Sequence, residues 1–381
     1  MRVLHLFANW KWTGPAEPAV ALAASLAERG HETLFACGRA VGTLPNEVAN
    51  EARARGLAPI LRFRLGKHRH PIYDRLDARA LRVMLKKQKP ELIHCHLPND
   101  QRIAADAAKG LGIPIVRSLY DGDPPALDTD HRTQLTGAAG VITISERMRD
   151  AVVSRFGVAP ARCVAIDGAI DLKRFNPKSK SLPNLRTEYG LAKDDFVVGI
   201  VARMQKHRRF EIFFEALTKV AAAVPSLKIL LVGRGTWMEE VAVKPAARRE
   251  LAGKAIFTGY RRGAEYVATL ACMDVKVYLT PGSDGSCRAA RECMAMGVPI
   301  VAAKRGHLID LVDDGVTGIL VDDDPDQLAA ALVRLATKPD ERAQMADASW
   351  KKSQKRFGLP QQAKAVEAFY AQILGVPAPK S

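Results

Sequence analysis

Apolar positions along the chain fall in short runs that alternate with stretches of helical period. The run "RVLHLF" opens the chain. After it "PAVALAASLAERG" places alanine and leucine three and four residues apart and stops on Gly30, the residue type that most readily ends a helix. The runs "HETLFAC", "LIHCHL", "IPIVRSL" and "GVITIS" read as strands, each trailed by a loop and a helical stretch such as "QRIAADAAKGLG" or "ERMRDAVVSRFG". Strand and helix in series predict a parallel sheet with helices on both faces. The pattern lapses between about Asp171 and Asp194, where two prolines and several lysines interrupt any apolar period, and this stretch reads as a linker. It then restarts with "FVVGIVARM", the helix "RFEIFFEALTKVAAAVP", "LKILLVGRG", "AIFTGY", the helix "AEYVATLACM", "VKVYLTPG", a short helix, "VPIVAA" and "GILVDD", followed by helices to the end. Two open α/β sheets in tandem are expected, facing each other across a cleft, with ligands outside the carboxyl ends of the strands.

Length agrees with that division, because 381 residues exceed one ordinary core and suit two. No apolar run approaches the ~20 residues of a membrane-spanning helix. "MRVLHLFANW" lacks the small-residue cleavage site of a signal peptide, so the chain is expected to work in the cytoplasm. Six scattered cysteines in strand-like or helical runs read as reduced, buried thiols. "HCH" at His94 to His96 has one face of two histidines and no second ligand cluster at a zinc spacing, so no metal is expected. The net charge of +16 and the pI near 9.7 do change the picture, since they predict an anionic partner. The densest basic stretch runs from Arg62 to Lys89.

In the second half each informative loop follows a strand. Arg203, Lys206, Arg208 and Arg209 follow the first strand there; Gly233, Arg234 and Gly235 follow the second. "SDGSCRAARECMAMG", Ser283 to Gly297, follows "VKVYLTPG" and opens a helix. A helix N-terminus carries about half a positive charge and suits phosphate, and Gly282 and Gly285 allow close approach to it. Asp284 and Glu292 flank that helix start, where carboxylates can accept hydrogen bonds from hydroxyls. Phosphate-reading amides between two hydroxyl-reading acids form a pattern suited to a sugar nucleotide. Asp284 reads equally well as a helix cap, and Glu292 has the alternative of a solvent-facing helix residue.

These segments resemble the retaining glycosyltransferases of family 4. "VARMQKHRRFEIFFEAL" is similar to the family's Gly-Arg-Leu-x4-Lys-Gly stretch, "LLVGRG" to its Val-Gly-x-Gly, "IFTGY" to its Phe-x-Gly-Tyr, and "SDGSCRAARECMAMGVPIVAA" to its Glu-x7-Glu block. In the first half "AERGHETLFA", "GVITISERMRD" and "DGAIDLKRFNP" match in the family's order. The resemblance covers almost the whole chain. It implies the GT-B arrangement of two Rossmann-like domains: 1–178 for the acceptor, completed by a C-terminal helix at about 360–381, and 179–359 for the donor. It also implies that Arg203 and Arg208 hold the donor's diphosphate, Glu292 the ribose, and Asp284 the hydroxyls of the transferred sugar. Backbone amides of Ser286, Cys287, Arg288 and Ala289 would meet phosphate or sugar, with Gly233 nearby and Gly259 and Tyr260 beside the base. Gly14 falls in the family's glycine loop, and His96 and Tyr120 on the acceptor side. Asp284, Arg208, Pro15 and Tyr120 replace a glutamate, a lysine, a glycine and a histidine that are usual in the family.

The activity so implied is sugar transfer from a nucleoside diphosphate to a hydroxyl of an anionic or lipid-linked glycan, as in lipopolysaccharide or other cell-surface polysaccharide assembly. Arg203, Arg208 and Asp284 would serve the chemistry, with no cofactor or metal and with peripheral attachment to the inner membrane face. The alternatives are a sugar-nucleotide epimerase on the same scaffold, a basic nucleic-acid-binding protein and an inactive scaffold. No nucleic acid is expected as a partner, because aromatics are 6% of residues and leave few stacking platforms.

Overall fold

The structure is a computed structural model that describes residues 1–179, 181–280 and 287–377. Its first sheet contains β1 (Arg2–Phe7), β2 (Glu32–Cys37), β3 (Pro59–Ile60), β4 (Leu92–Cys95), β5 (Ile115–Ser118), β6 (Gly140–Thr143) and β7 (Cys163–Ala165). The second contains β8 (Phe196–Val201), β9 (Leu227–Val232), β10 (Ala255–Gly259), β11 (Val275–Tyr278), β12 (Ile300–Ala303) and β13 (Gly318–Val321). The strand orders are β3-β2-β1-β4-β5-β6-β7 and β10-β9-β8-β11-β12-β13. Every pairing is parallel. Both sheets are therefore doubly wound and Rossmann-like, and each reverses its order once: between β1 and β4, and between β8 and β11.

Burial explains why these runs form strands. β8 reads "FVVGIV", and its first five residues are buried because helices cover both faces. One cover is the helix Phe210–Ala223, whose Phe210, Phe213, Phe214, Leu217 and Val220 recur at helical spacing and join the core with Val198, Ile229 and Val277. On the opposite face Val267, Leu270, Ala290 and Met294 pack with Val197, Leu230 and Ile300.

The chain divides into two compact units, 1–169 with 359–377 and 170–358, so the first ends nine residues before the 178 expected from the sequence. The stretch expected to be a linker is instead part of the second unit. Phe175, Leu185 and Leu191 are buried in its core, and a short helix, Leu185–Glu188, is capped by the Asn184 side chain. Partly buried Leu172, Leu182 and Tyr189 pack against the same core, so the segment is held by apolar residues that form no period.

The final helix, Leu359–Leu374, belongs to the first unit. Ala363, Val366, Phe369 and Tyr370 pack with Val3, Leu22, Leu26 and Leu92. Glu367 is fixed by Arg29 Nε at 3.0 Å and His31 Nε2 at 2.6 Å. A Cβ on Gly140 would lie 2.7 Å from the Phe369 ring, so the glycine in β6 is where that ring rests. Among the described residues no helix is long and apolar enough to cross a membrane. All six cysteines are buried free thiols. Burial raises Cys37 and Cys163 to about 12, and Cys272 and Cys293 to about 11, which keeps them unreactive.

Candidate functional site

In the second unit the strand-order reversal lies between β8 and β11; the β8 loop carries Arg203 and Arg208, and among the described residues Cys287, Arg288, Ala289 and Glu292 follow β11. The β8 loop runs into a 3-10 turn at Lys206–Arg208, then into Arg209 with φ +61°, which redirects the chain into the helix at Phe210. From that turn Arg208 reaches across to the β11 loop, where its Nη1 donates to the carbonyl of Thr280 at 3.0 Å. Arg305, from the loop after β12, approaches the same residue, with Nη1 3.4 Å from Thr280 Oγ1. Asp323 accepts from Arg305 and from Arg209 Nη1, the latter at 3.0 Å, and so ties two of these cations to β13. Arg203 is exposed and makes no hydrogen bond or ion pair among the described residues. Lys206, also expected at this rim, is turned to Trp237 and Glu240, with Nζ 3.9 Å from the ring centroid and 3.1 Å from the carboxylate.

Two glycines let the neighbouring loop close against this one. A Cβ on Gly233 would stand 2.1 Å from the Ala202 carbonyl oxygen, and one on Gly235 would stand 2.2 Å from that of Met204. Gly233 also has φ +134°, a conformation L side chains rarely adopt. Its amide donates to Gly259 O at 2.9 Å, which joins the loops after β8, β9 and β10 into one layer. Tyr260 stands at that layer's edge, 56% exposed, with the guanidinium groups of Arg262 and Arg234 at 5.0 and 5.4 Å from its ring centroid. A half-exposed ring flanked by two cations can stack with a planar base.

The helix Arg288–Ala295 follows β11. Cys287, fully buried, adopts φ +54° and turns the chain into it. The sequence left Glu292 open between a site residue and a solvent-facing one; it is 6% exposed, so the second reading is excluded. Its Oε2 accepts from the Tyr266 hydroxyl at 2.6 Å, and its Oε1 lies 3.4 Å from Arg288 Nε. Burial, reinforced by the adjacent carboxylate, pushes the Tyr266 hydroxyl well above its ordinary value, so it remains a donor to Glu292. Beneath the helix, the buried Lys276 of β11 donates from Nζ to Ala289 O at 2.6 Å. Arg291, also buried, points to His307 Nε2 at 3.4 Å. Asp284 and Ser286, with Gly282 and Gly285, lie outside the described residues.

Tyr266, Lys276 and Arg305 were missed by the sequence reading. Tyr266 and Lys276 sit in apolar runs, "AEYVATLACM" and "VKVYLTPG", where the period shows only that they are buried. The available signal was the lysine itself, since a cation inside a core strand requires a partner.

The other expected residues belong to the first unit. Gly14 lies in the turn before the helix Ala16–Glu28. His96 and Tyr120 do meet, with the tyrosine hydroxyl 2.5 Å from His96 Nδ1. His96 Nε2 is 3.0 Å from Nδ1 of His5, a residue of β1 that the sequence did not single out. His94 contacts Ser118 Oγ through Nε2 at 2.8 Å and the Tyr370 hydroxyl through Nδ1. Among the described residues these three histidines are the group able to gather around a metal ion. Both ring nitrogens of His94 and of His96 are already engaged, and one of His5. Burial pushes His5 down to about 3 and His94 and His96 well below the usual imidazole range, so all three are neutral. Asp100 closes this edge by accepting the amides of Leu97, Ala8 and His96 at 2.9, 3.2 and 3.3 Å.

Two family models match successive parts of the chain. Residues 14–174 match the family model described as Glycosyltransferase Family 4, and residues 195–338 match the one described as Glycosyl transferases group 1. A D-inositol 3-phosphate glycosyltransferase of Saccharomonospora viridis is 26% identical over 280 residues, which span 66% of this chain and 63% of that protein. The match therefore covers less than two thirds of that relative's length. Among solved structures, Anabaena HepE in complex with UDP superposes with a TM-score of 0.79 at 22% identity, covering 96% of this chain and 98% of that one. A glycosyltransferase from Rickettsia africae gives 0.81 at 15% identity with 98% of each chain covered. At these identities the structures establish the fold, two Rossmann-like domains of the GT-B class. The chain therefore carries two successive segments similar to glycosyltransferase family models, the first to Glycosyltransferase Family 4 and the second to Glycosyl transferases group 1, on a GT-B fold.

Proposed function

We propose that the protein transfers a sugar from a nucleoside diphosphate to a hydroxyl of an anionic or lipid-linked glycan, with retention of configuration. The observation that carries this reading is Glu292. It is a buried carboxylate held by Tyr266 and Arg288 beside a helix start, while Arg208 and Arg305 are fixed on Thr280 in the preceding loop. A carboxylate so held accepts hydrogen bonds from the ribose hydroxyls, and the cations meet the diphosphate. HepE was solved with UDP, which supports a nucleotide ligand for this fold.

In the transfer, the sugar–phosphate bond breaks as positive charge develops on the sugar ring and negative charge on the departing diphosphate. Arg203 and Arg208, with the positive end of the helix Arg288–Ala295, stabilise that charge. Asp284 receives hydroxyls of the transferred sugar, and Tyr260 lies against the base. No bound metal and no protein nucleophile enter this scheme. The acceptor binds the first unit, with His96 and Tyr120 on its side, and the protein works in the cytoplasm at the inner membrane face.

A thermal-unfolding screen of uridine and guanosine diphosphate sugars tests the donor assignment. One base series should raise Tm, since a ligand at a hundred times its Kd adds about 2.7 kcal/mol. Protection by none would overturn the reading. Release of nucleoside diphosphate only in the presence of acceptor separates transfer from epimerisation, which needs none.

A further inference from the structure

The helix Pro71–Gln88 has two unlike faces. Ala78, Leu81, Met84 and Leu85 are buried in the first unit's core. On the outer side Ile72, Leu76 and Val83 are 66%, 51% and 59% exposed, an unusual amount of aliphatic surface for one helix. They alternate with exposed Arg79 and Lys86: positions 72, 76, 79, 83 and 86 advance by four and three, so all five lie on one stripe. Arg75 and Lys87 border it, and exposed Lys67, His68 and Arg69 precede it. Tyr73, also exposed, carries the Arg64 guanidinium 3.7 Å from its ring centroid.

The helix has two acids, and both are turned to their own chain. Asp77 accepts the amides of Arg64 and Leu65 at 3.0 and 2.7 Å, and Asp74 accepts that of His70 at 2.9 Å. Arg82 likewise donates to the carbonyls of Ala107 and Lys109. Arg75, Arg79, Lys86 and Lys87 pair with no carboxylate among the described residues. The outward face is thus aliphatic in the middle, cationic at its borders and free of negative charge.

We propose that this stripe docks the protein on the anionic leaflet of a membrane. The helix lies in the plane of the surface, Ile72, Leu76 and Val83 enter the boundary between headgroups and acyl chains, and Arg75, Arg79, Lys86 and Lys87 meet lipid phosphates. Charge complementarity selects this occupant. A second copy would bring an equally positive stripe against the first, and a nucleic acid would leave the three aliphatic side chains without an apolar phase. The inference rests on the peripheral attachment proposed above and assigns it a surface.

The test is co-sedimentation with vesicles of phosphatidylcholine alone or mixed with phosphatidylglycerol, at low and high salt and without nucleotide. The protein should bind the mixed vesicles, less at high salt, and not the neutral ones. Arg75→Ser with Arg79→Ser should weaken binding about thirtyfold, the product of slightly more than fivefold for each cation. Ile72→Ser, Leu76→Ser and Val83→Ser together should weaken it about a hundredfold. Both variants should keep the parent Tm and the parent response to nucleotide sugars. Unchanged binding in either variant overturns the proposal, and so does tighter binding to RNA than to the mixed vesicles. Vesicle binding uses no donor, so a failure of the donor assignment would leave it intact, and loss of vesicle binding would leave donor protection intact.

Discussion

The two sheets reverse strand order at equivalent places, and the groups they set there are opposite in character. Between β1 and β4 the first unit places His5, His94 and His96, all buried, neutral and engaged with one another or with Ser118, Tyr120 and Tyr370. Between β8 and β11 the second unit places Arg203 and Arg208, Thr280 and the start of the helix that carries Glu292. One edge is closed by hydrogen bonds within the protein, while the other keeps cations at its rim. A doubly wound sheet supplies the position; the electrostatic character of that position comes from whether its polar groups are buried with partners or left facing outward.

The sharpest way to test this contrast is at Glu292. Glu292→Ala should weaken donor binding at least about a hundredfold, since hydrogen bonds to a charged group contribute about 1.5–3 kcal/mol each. Loss of nucleotide protection in thermal unfolding, or calorimetric titration, would report it. If protection survives, the carboxylate is as structural as the histidines and the contrast collapses. Gly233→Val comes next, with an expected loss of about 3 kcal/mol of stability from the collision with Ala202 and the unfavourable φ. An unchanged denaturation midpoint would show that the loops after β8 and β9 do not need their close approach.

The closed edge makes a prediction in pH. His5 is lowered to about 3, and His94 and His96 are also lowered, relative to about 6.5 when unfolded. A depressed value means that the contribution is fully present above pH 6.5 and is lost as pH falls, because the unfolded chain binds protons that the folded one refuses. Each histidine should therefore remove up to about 1.4 kcal/mol per pH unit below 6.5. Denaturant titrations from pH 7 to 4 should show the slope, and His5→Phe should reduce it. A slope equal in both proteins would contradict the burial of His5. The smallest effect is expected at Tyr260→Ala: a base stacked on one exposed ring gains about 1 kcal/mol at the low end of such contacts, so donor affinity should fall about fivefold in the same calorimetric assay.

Much of the second site was legible as sequence because its residues follow strands directly. Gly233, Arg208 and Glu292 occupy positions fixed by the end of a strand or the start of a helix, which apolar period and turn residues reveal. The strands β3 and β7, of two and three residues, were not legible, since so short a run has no period. The roles of Lys276 and Tyr266 were hidden for a different reason: each sits in an apolar run, and its partner lies 13 or 26 residues away across a packed layer.

By itself the sequence determined the alternation of strands and helices, the two parallel sheets, and the loops that carry charge. Those properties depend on local spacing, because a residue's periodic position decides whether it faces core or water. Tertiary structure alone decided that His5 stands against His96, 91 residues away, that Tyr266 holds Glu292, and that the segment around Leu185 packs into the second unit. Such pairings depend on strand register and helix docking, which are set by the packing of whole layers and are not encoded in any one stretch of chain.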